Sequence, residues 1–392
     1  MAILAELVRI VLIALLFTFL LGPGSPAGAE SFSVTNLVTD DPLGHPAQIT
    51  DSDLNNAWGV SYTSNGSPFW VSSNAGGVAV LYTVTSANVT TKVGVGMPPM
   101  DVTIPPAPGL PMGTLGTPTG QAFNSFGAGA FNADNFLFVS EDGTISGWRG
   151  ALGNTAEVLQ TGMTANVYKG TALDVTGGHA YLLSANFRIG NIDVIKGDAA
   201  APNLTGKFLD PNLPAGYAPF NIQVLNGTIY VTYALQDSAK HDDDPGAGHG
   251  FVSAFDLQGN LRGRIATMGT LNSPWGLALA PASFGTFAGD LLVGNFGDGL
   301  INVFSPDPAT PGFLGQLTGA NGTPLSIDGL WALIPGNGGN SGNSQSIYFS
   351  AGPDGETVGL FGVISAIPEP STVLLLLSGI TGLLVLRRRT EV

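Results

Sequence analysis

Three carboxylates and two imidazoles crowd into one short stretch, His241-Asp242-Asp243-Asp244-Pro245-Gly246-Ala247-Gly248-His249. Oxygen ligands suit calcium and imidazole suits zinc or similar ions, so Asp242, Asp244 and His249 form a first candidate set for one divalent cation that would order the loop. Successive side chains on an extended backbone point to opposite sides, however, and the spacing fits neither an EF-hand nor an HExxH helix. A solvated acidic loop explains the same residues. A second set consists of oxygen-bearing side chains that follow apolar strand-like runs: Asn74, Glu141 with Asp142, Asn186, Asn295 and Asp354. Asn and Asp are also the residues that turns require, and Asp142 before Gly143 and Asp298 in Gly297-Asp298-Gly299 read as turn residues.

Other chemistries find little support. With no Cys there are no disulfides, thiolate metal sites or cysteine nucleophiles. The four His, namely His45, His179, His241 and His249, stand in no triad context, and no Gly-x-Ser-x-Gly elbow occurs. A glycosidase needs two carboxylates across a cleft, and the linear sequence identifies no such pair. Gly94-Val95-Gly96 lacks the next glycine of a phosphate loop and runs into Pro98-Pro99. Thirteen Lys and Arg against 28 Asp and Glu give a net charge of -15, which argues against binding a phosphate backbone. An acidic chain of this kind favours saccharide or protein partners.

The elements that must position these residues repeat. Gly makes up 56 of 392 residues, about double its usual ~7% share, and is costly inside helices, so an all-β chain rich in turns is expected. One pattern recurs: a short run around Trp-Gly, a strand ending in Ser or Asn, a glycine turn and a second apolar strand. Ala57-Trp58-Gly59-Val60 with Phe69-Trp70-Val71-Ser72 matches Pro274-Trp275-Gly276-Leu277 with Leu291-Leu292-Val293-Gly294. Weaker copies begin at Thr119, Lys169, Phe220 and Gly329. Taking these six positions as equivalent gives spacings of 61, 50, 51, 55 and 54 residues, near the ~40 to 50 of propeller blades with loop insertions. The expected fold is a six-bladed β-propeller of four-stranded blades over residues 30–366. Its last blade would be closed by the strand Phe32-Ser33-Val34-Thr35-Asn36-Leu37-Val38. Two β-sandwiches are the competing arrangement. Residues 97–120 read as a Pro-rich surface excursion.

In six-bladed lactonases and related hydrolases, Asn, Asp and Glu side chains from several blades meet around a channel calcium that polarises a carbonyl. By that architectural analogy Asn74, Glu141, Asn186 and Asn295 would hold calcium as cofactor, and the chain would be a calcium-dependent hydrolase or lactonase. The main expectation is instead a binding or matrix protein.

Both ends read as targeting devices. Arg9, the apolar run Ile10 to Leu21 and the small residues Ala27 and Ala29 resemble a signal peptide of residues 1–29, cut by signal peptidase. At the other end stand Pro368-Glu369-Pro370, the apolar stretch Val373 to Leu386 and Arg387-Arg388-Arg389. This order in residues 367–392 resembles the PEP-CTERM sorting tail of Gram-negative bacteria. The resemblance implies a transmembrane sorting helix that anchors the precursor transiently in the inner membrane. An exosortase would then cut near Pro368 to Pro370 and release the body to the cell surface or extracellular matrix, where a polysaccharide or surface protein would be its partner. The body is similar to an uncharacterised bacterial family of exported propeller-like proteins. The similarity rests on Asn36-Leu37-Val38-Thr39-Asp40, Asn56-Ala57-Trp58-Gly59, Glu141-Asp142-Gly143-Thr144-Ile145-Ser146-Gly147-Trp148 and Ser273-Pro274-Trp275-Gly276-Leu277. No activity comes with it.

Overall fold

The computed structural model describes residues 31–367, apart from 65, 95–99 and 163–164. The proposed processing residues Ala27, Ala29, Pro368, Glu369, Pro370, Arg387, Arg388 and Arg389 lie outside the described residues. Within them no helix is long and apolar enough to cross a membrane.

Residues Phe32–Ala366 form one compact unit built of six sheets, antiparallel except where Ser31–Thr39 meets Ile49–Thr50. Each sheet opens with a short inner strand: Ala57–Ser61, Pro118–Phe123, Tyr168–Thr176, Tyr217–Leu225, Pro274–Leu279 and Leu330–Pro335. These six pack side by side in sequence order, and the last returns to the first, so the sheets are the blades of a closed six-bladed propeller. Two β-sandwiches would not form such a ring. Apolar faces meet between neighbouring blades; Trp70 of blade 1, for example, stacks on Phe136 of blade 2 at 4.1 Å and lies 4.8 Å from Trp148. A blade cannot bury both of its faces alone, so stability depends on this stacking and on closing the circle.

Closure uses the chain's first described strand. Ser31–Thr39 pairs antiparallel with Leu360–Ala366, from Phe32 opposite Ala366 to Thr39 opposite Leu360, and completes blade 6. Phe32, Leu37 and Val38 are buried there. The strand also carries Ile49–Thr50 on its outer edge, so this sheet is wider than four strands.

Three expectations need correction. Blade 3 has three strands, Tyr168–Thr176, His179–Asn186 and Asn191–Lys196, where four were expected. The segment that follows contains Pro202, Pro211 and Pro214, which cannot donate to a ladder. It leaves the blade and sets Phe208 against Phe255 of blade 4 at 5.7 Å. In blade 6 the partner of Trp58 is Trp331, not Gly329, because both tryptophans follow the first residue of an inner strand that slips register at the same point. The Pro-rich excursion ends at Thr117, since Pro118 opens the inner strand of blade 2, and it contains the short strand Val102–Thr103, paired with Val78 and Ala79, while Leu110 and Met112 beyond it are exposed.

Asp174, on the inner strand of blade 3, is buried, and the Val175 backbone amide is the one weak support for its charge. Burial pushes its pKa from 3.8 up to about 6. An acid whose folded pKa is raised costs stability in full above that value, and the cost fades as pH falls toward its unfolded pKa. Asp174→Asn is therefore expected to stabilise the protein at pH 7.5 by about 1–2 kcal/mol, a figure discounted for solvent screening. The gain should vanish near pH 3.5. Thermal midpoints at the two pH values measure this, and a loss at pH 7.5 contradicts it.

Candidate active site at the propeller axis

Every inner strand carries a register slip at its axial end: between Ala57 and Val60, Pro118 and Gln121, Tyr168 and Thr171, Pro219 and Asn221, Pro274 and Gly276, and Leu330 and Leu333. A bulge bends a strand and re-aims the side chain within it. Here six bulges carry Trp58, Thr119, Lys169, Phe220, Trp275 and Trp331, all buried. Contacts between blades that are not neighbours place the aromatic members on the axis. Trp58 of blade 1 meets Trp275 of blade 5 edge-on at 6.3 Å, and Phe220 of blade 4 meets Trp331 of blade 6 at 5.8 Å. Trp58 and Trp331 stack at 3.5 Å, and Phe296 stacks on Trp331 at 4.0 Å. The channel is therefore plugged by aromatic rings.

Just beneath the plug the ring is tight. A Cβ added to Gly59 would stand 2.5 Å from the Thr119 carbonyl oxygen, and one on Gly120 would stand 2.6 Å from the Thr171 nitrogen. Only glycine lets these backbones approach so closely. Gln121 Nε2 donates to the Gly59 and Trp70 carbonyls, and Asn221 Nδ2 to that of Trp275, satisfying polar backbone at the centre. Beneath lies a cavity of about 50 Å³, which shares Val60, Gln121, Thr171 and Gln223 with a wider one of about 230 Å³ lined also by Tyr62 and Phe123.

Above the plug lies a charged network. Lys169 is the one ionisable member of the six-residue ring and is almost fully buried. Its Nζ donates to Glu141 Oε1 at 2.5 Å and Asp242 Oδ1 at 2.8 Å, and sits 5.0 Å from the centre of the Trp58 ring. Burial opposes the charge, but Glu141 and Asp242 outweigh it and raise the lysine pKa above its ordinary value, so the amine is an ammonium and no nucleophile. Asp242 Oδ2 is 3.0 Å from His241 Nδ1. That bond, and Lys169 behind it, hold the Asp242 carboxyl far below the usual range, while His241 is raised in return.

From Glu141 the network runs on around the ring. Asn74 Nδ2 donates to Glu141 Oε2 at 3.0 Å, and Asn56 Nδ2 donates to Glu356 Oε2 at 2.7 Å and to Asn74 Oδ1 at 3.4 Å. Burial raises the pKa of Glu356; Asn56 and Lys169 oppose the rise, and Glu141 and Asp242 add to it. Blades 6, 1, 2, 3 and 4 are thus joined by one polar chain across the mouth. Beside it, Asn56 Oδ1 and the indole nitrogens of Trp58, Trp275 and Trp331 are buried without a protein partner. Such groups in a native protein require water or a ligand.

The structure brings together some of the sequence-predicted residues and separates the others. Asn74, Glu141 and Asp242 meet at the mouth. Asn186 instead donates to Asn166 and Asp193, and Asn295 to the Thr270 carbonyl and Asp298. The reason is a register offset of one. Asn186 and Asn295 pair where Ser73 and Ser140 do, one residue before Asn74 and Glu141, and strand side chains alternate. The true counterparts of Asn74 in blades 3 and 5 are Phe187 and Phe296, which lie in the hydrophobic cluster of the plug. Asp242, Asp244 and His249 do not converge either, since His249 Nδ1 bonds the Asp244 backbone carbonyl at 2.7 Å. Two other groups have potential ligand atoms within 4.8 Å of one another: Glu141, His241 and Asp242 at the mouth, and Asp41, His45 and Asp354 on the rim.

Lys169, Asn56 and Glu356 were not legible as site residues. The one available signal was a lysine at a repeat position where the other copies carry Trp, Thr or Phe.

No protein-family model matches the chain. It is homologous to uncharacterized proteins of Acanthamoeba polyphaga mimivirus. It is 33% identical to protein L690 over 261 residues, which cover 62% of this chain and 66% of that protein, just under two thirds of its length. It is 28% identical to protein R648 over 360 residues, covering 88% of this chain and 83% of that protein. Among solved structures, a glucose dehydrogenase matches at a TM-score of 0.47 and 11% identity, covering 84% of this chain and 99% of that one. The WD40 domain from Toxoplasma gondii coronin matches at 0.43 and 10%, covering 87% of each.

Proposed function

We propose that this propeller is a binding protein whose ligand, a saccharide or protein surface, sits over the axial mouth, and that the mouth works without a resident metal. The observation that carries this reading is the Lys169 ammonium between Glu141 and Asp242. An ammonium there neutralises the carboxylates that a channel cation would need. The aromatic plug below it leaves no depth for a substrate to reach the axis, so ligand contacts fall to Asn56, Asn74, His241, Asp242 and Glu356. A protonated, doubly paired lysine supplies fixed positive charge and rigidity, not base or nucleophile chemistry.

A second reading has its own support. The ligand atoms of Glu141, His241 and Asp242 lie within 4.8 Å of one another, so a calcium that displaced Lys169 would find donors and polarise a lactone or ester carbonyl. The thermal midpoint of the purified chain separates the two. We expect it to be unchanged by chelator and by added calcium. A drop of several degrees on chelation, restored by calcium, supports the hydrolase.

We further propose export, with signal peptidase cutting after Ala29 and an exosortase acting at Pro368 to Pro370 in a bacterial setting. The support is the residue order at the two ends. Intact mass of the secreted chain tests it, and a product retaining Arg387 to Arg389 contradicts it.

A further inference from the structure

The charge balance at the mouth is incomplete. Lys169 is shared by Glu141 and Asp242, which leaves Glu356 with only the Asn56 amide as its partner there. Beside it Asn56, 4% exposed, presents Oδ1 as a buried acceptor without a donor. Lys169 and His241 thus serve Glu141 and Asp242, Glu356 has no cation of its own, and a group that only donates and carries positive charge would complete the set.

The surrounding face has the same bias. Between second and third strands the connecting loops, residues 74–77, 141–144, 187–190, 236–250, 296–300 and 352–359, carry nine acidic residues against Arg188 and Lys240. At the other end of the propeller, the loops between first and second strands carry Asp134 and Asp290, and those between third and fourth strands carry Asp256 and Asp307. A field of one sign on one face draws an oppositely charged partner and speeds its arrival.

We propose that the face around the axial mouth docks a basic protein surface and that one lysine side chain of this partner enters the mouth, its ammonium meeting Glu356 and Asn56 Oδ1. This rests on the binding-protein reading and names the partner. A lysine suits the site because its stem ends in a compact charge that donates three hydrogen bonds and accepts none.

The test uses the full chain and fluorescent octalysine, with octalysine acetylated on its side chains and a chitosan hexamer as comparisons. Octalysine is expected to bind saturably at one site and the acetylated peptide not at all. Glu356→Gln should weaken binding at least tenfold with a near-native thermal midpoint. Asp354→Lys puts a cation on the rim outside the buried network and should weaken binding in the same direction, so the proposal stays testable if Glu356→Gln misfolds. The triple substitution Asp256→Asn, Asp290→Asn, Asp307→Asn on other surfaces should leave affinity within about twofold. The absence of saturable octalysine binding overturns the proposal, as does equal weakening by the remote triple variant. Tighter binding of the chitosan hexamer overturns the basic protein as partner yet keeps the mouth as a metal-free binding site. A calcium-dependent thermal midpoint is the separate failure of the underlying reading.

Discussion

Lys169→Met is expected to destabilise the protein by about 2–3 kcal/mol, because it leaves Glu141, 14% exposed, without its cation, while Asp242, 58% exposed, keeps His241 and loses less. Methionine keeps most of the side chain's length and its contact with Trp58, so the loss reads the charge and not a cavity. Glu141 and Asp242 are left facing each other beside Glu356, all within the network that spans five blades. Adding Glu141→Gln and Asp242→Asn to Lys169→Met should recover part of the loss by removing the stranded charges. The vacated oxygens, together with His241, also make a cation site, so millimolar calcium is expected to raise the variant's thermal midpoint and leave the parent unchanged. Denaturant and thermal melts with and without calcium measure both effects. A variant as stable as the parent contradicts the assigned role of Lys169.

The second large effect concerns closure of the ring. A chain that begins after Thr39 lacks the strand that pairs with Leu360–Ala366 and loses the burial of Phe32, Leu37 and Val38. At about 1.5–3 kcal/mol for each buried large apolar side chain, those three alone contribute about 6 kcal/mol. That is a large part of the 5–15 kcal/mol by which domains are usually stable. The truncated chain is expected to show no cooperative unfolding transition at 37 °C. A synthetic peptide of residues 31–39 added in trans should restore part of it, in proportion to peptide concentration. Cooperative melting of the truncated chain at the parental midpoint contradicts the clasp.

What the sequence disclosed, and what it concealed, follows from the period of the structure. The inner-strand units and the glycine turns recur every fifty to sixty residues because each blade must send one bulged strand to the axis and turn sharply at fixed points. The blade number and the closing strand Ser31–Thr39 are legible on that basis. The missing strand of blade 3 was hidden because Phe208 packs on the next blade, a tertiary contact that no local pattern announces.

The site was harder to read for a geometric reason. In a strand a shift of one residue reverses the side chain's direction, and Asn186 and Asn295 look like Asn74 in sequence while pointing elsewhere. Glu356 sits in the tight turn Pro353–Glu356, where Asp354, Gly355 and Glu356 all have positive φ and which repeats nothing in the other blades. Lys169 was visible as a repeat position, yet its role comes from Glu141 of blade 2 and Asp242 of blade 4, which reach it from 28 and 73 residues away.

In the proposed binding protein a protein ammonium, and not a metal ion, is the cation at the axis. A crystal of the native chain soaked in a manganese salt tests it most directly, with anomalous scattering recorded to locate the metal. No anomalous peak is expected at the mouth, with Lys169 Nζ in contact with Glu141 and Asp242. A manganese peak between Glu141, His241 and Asp242 with Lys169 turned away would contradict it.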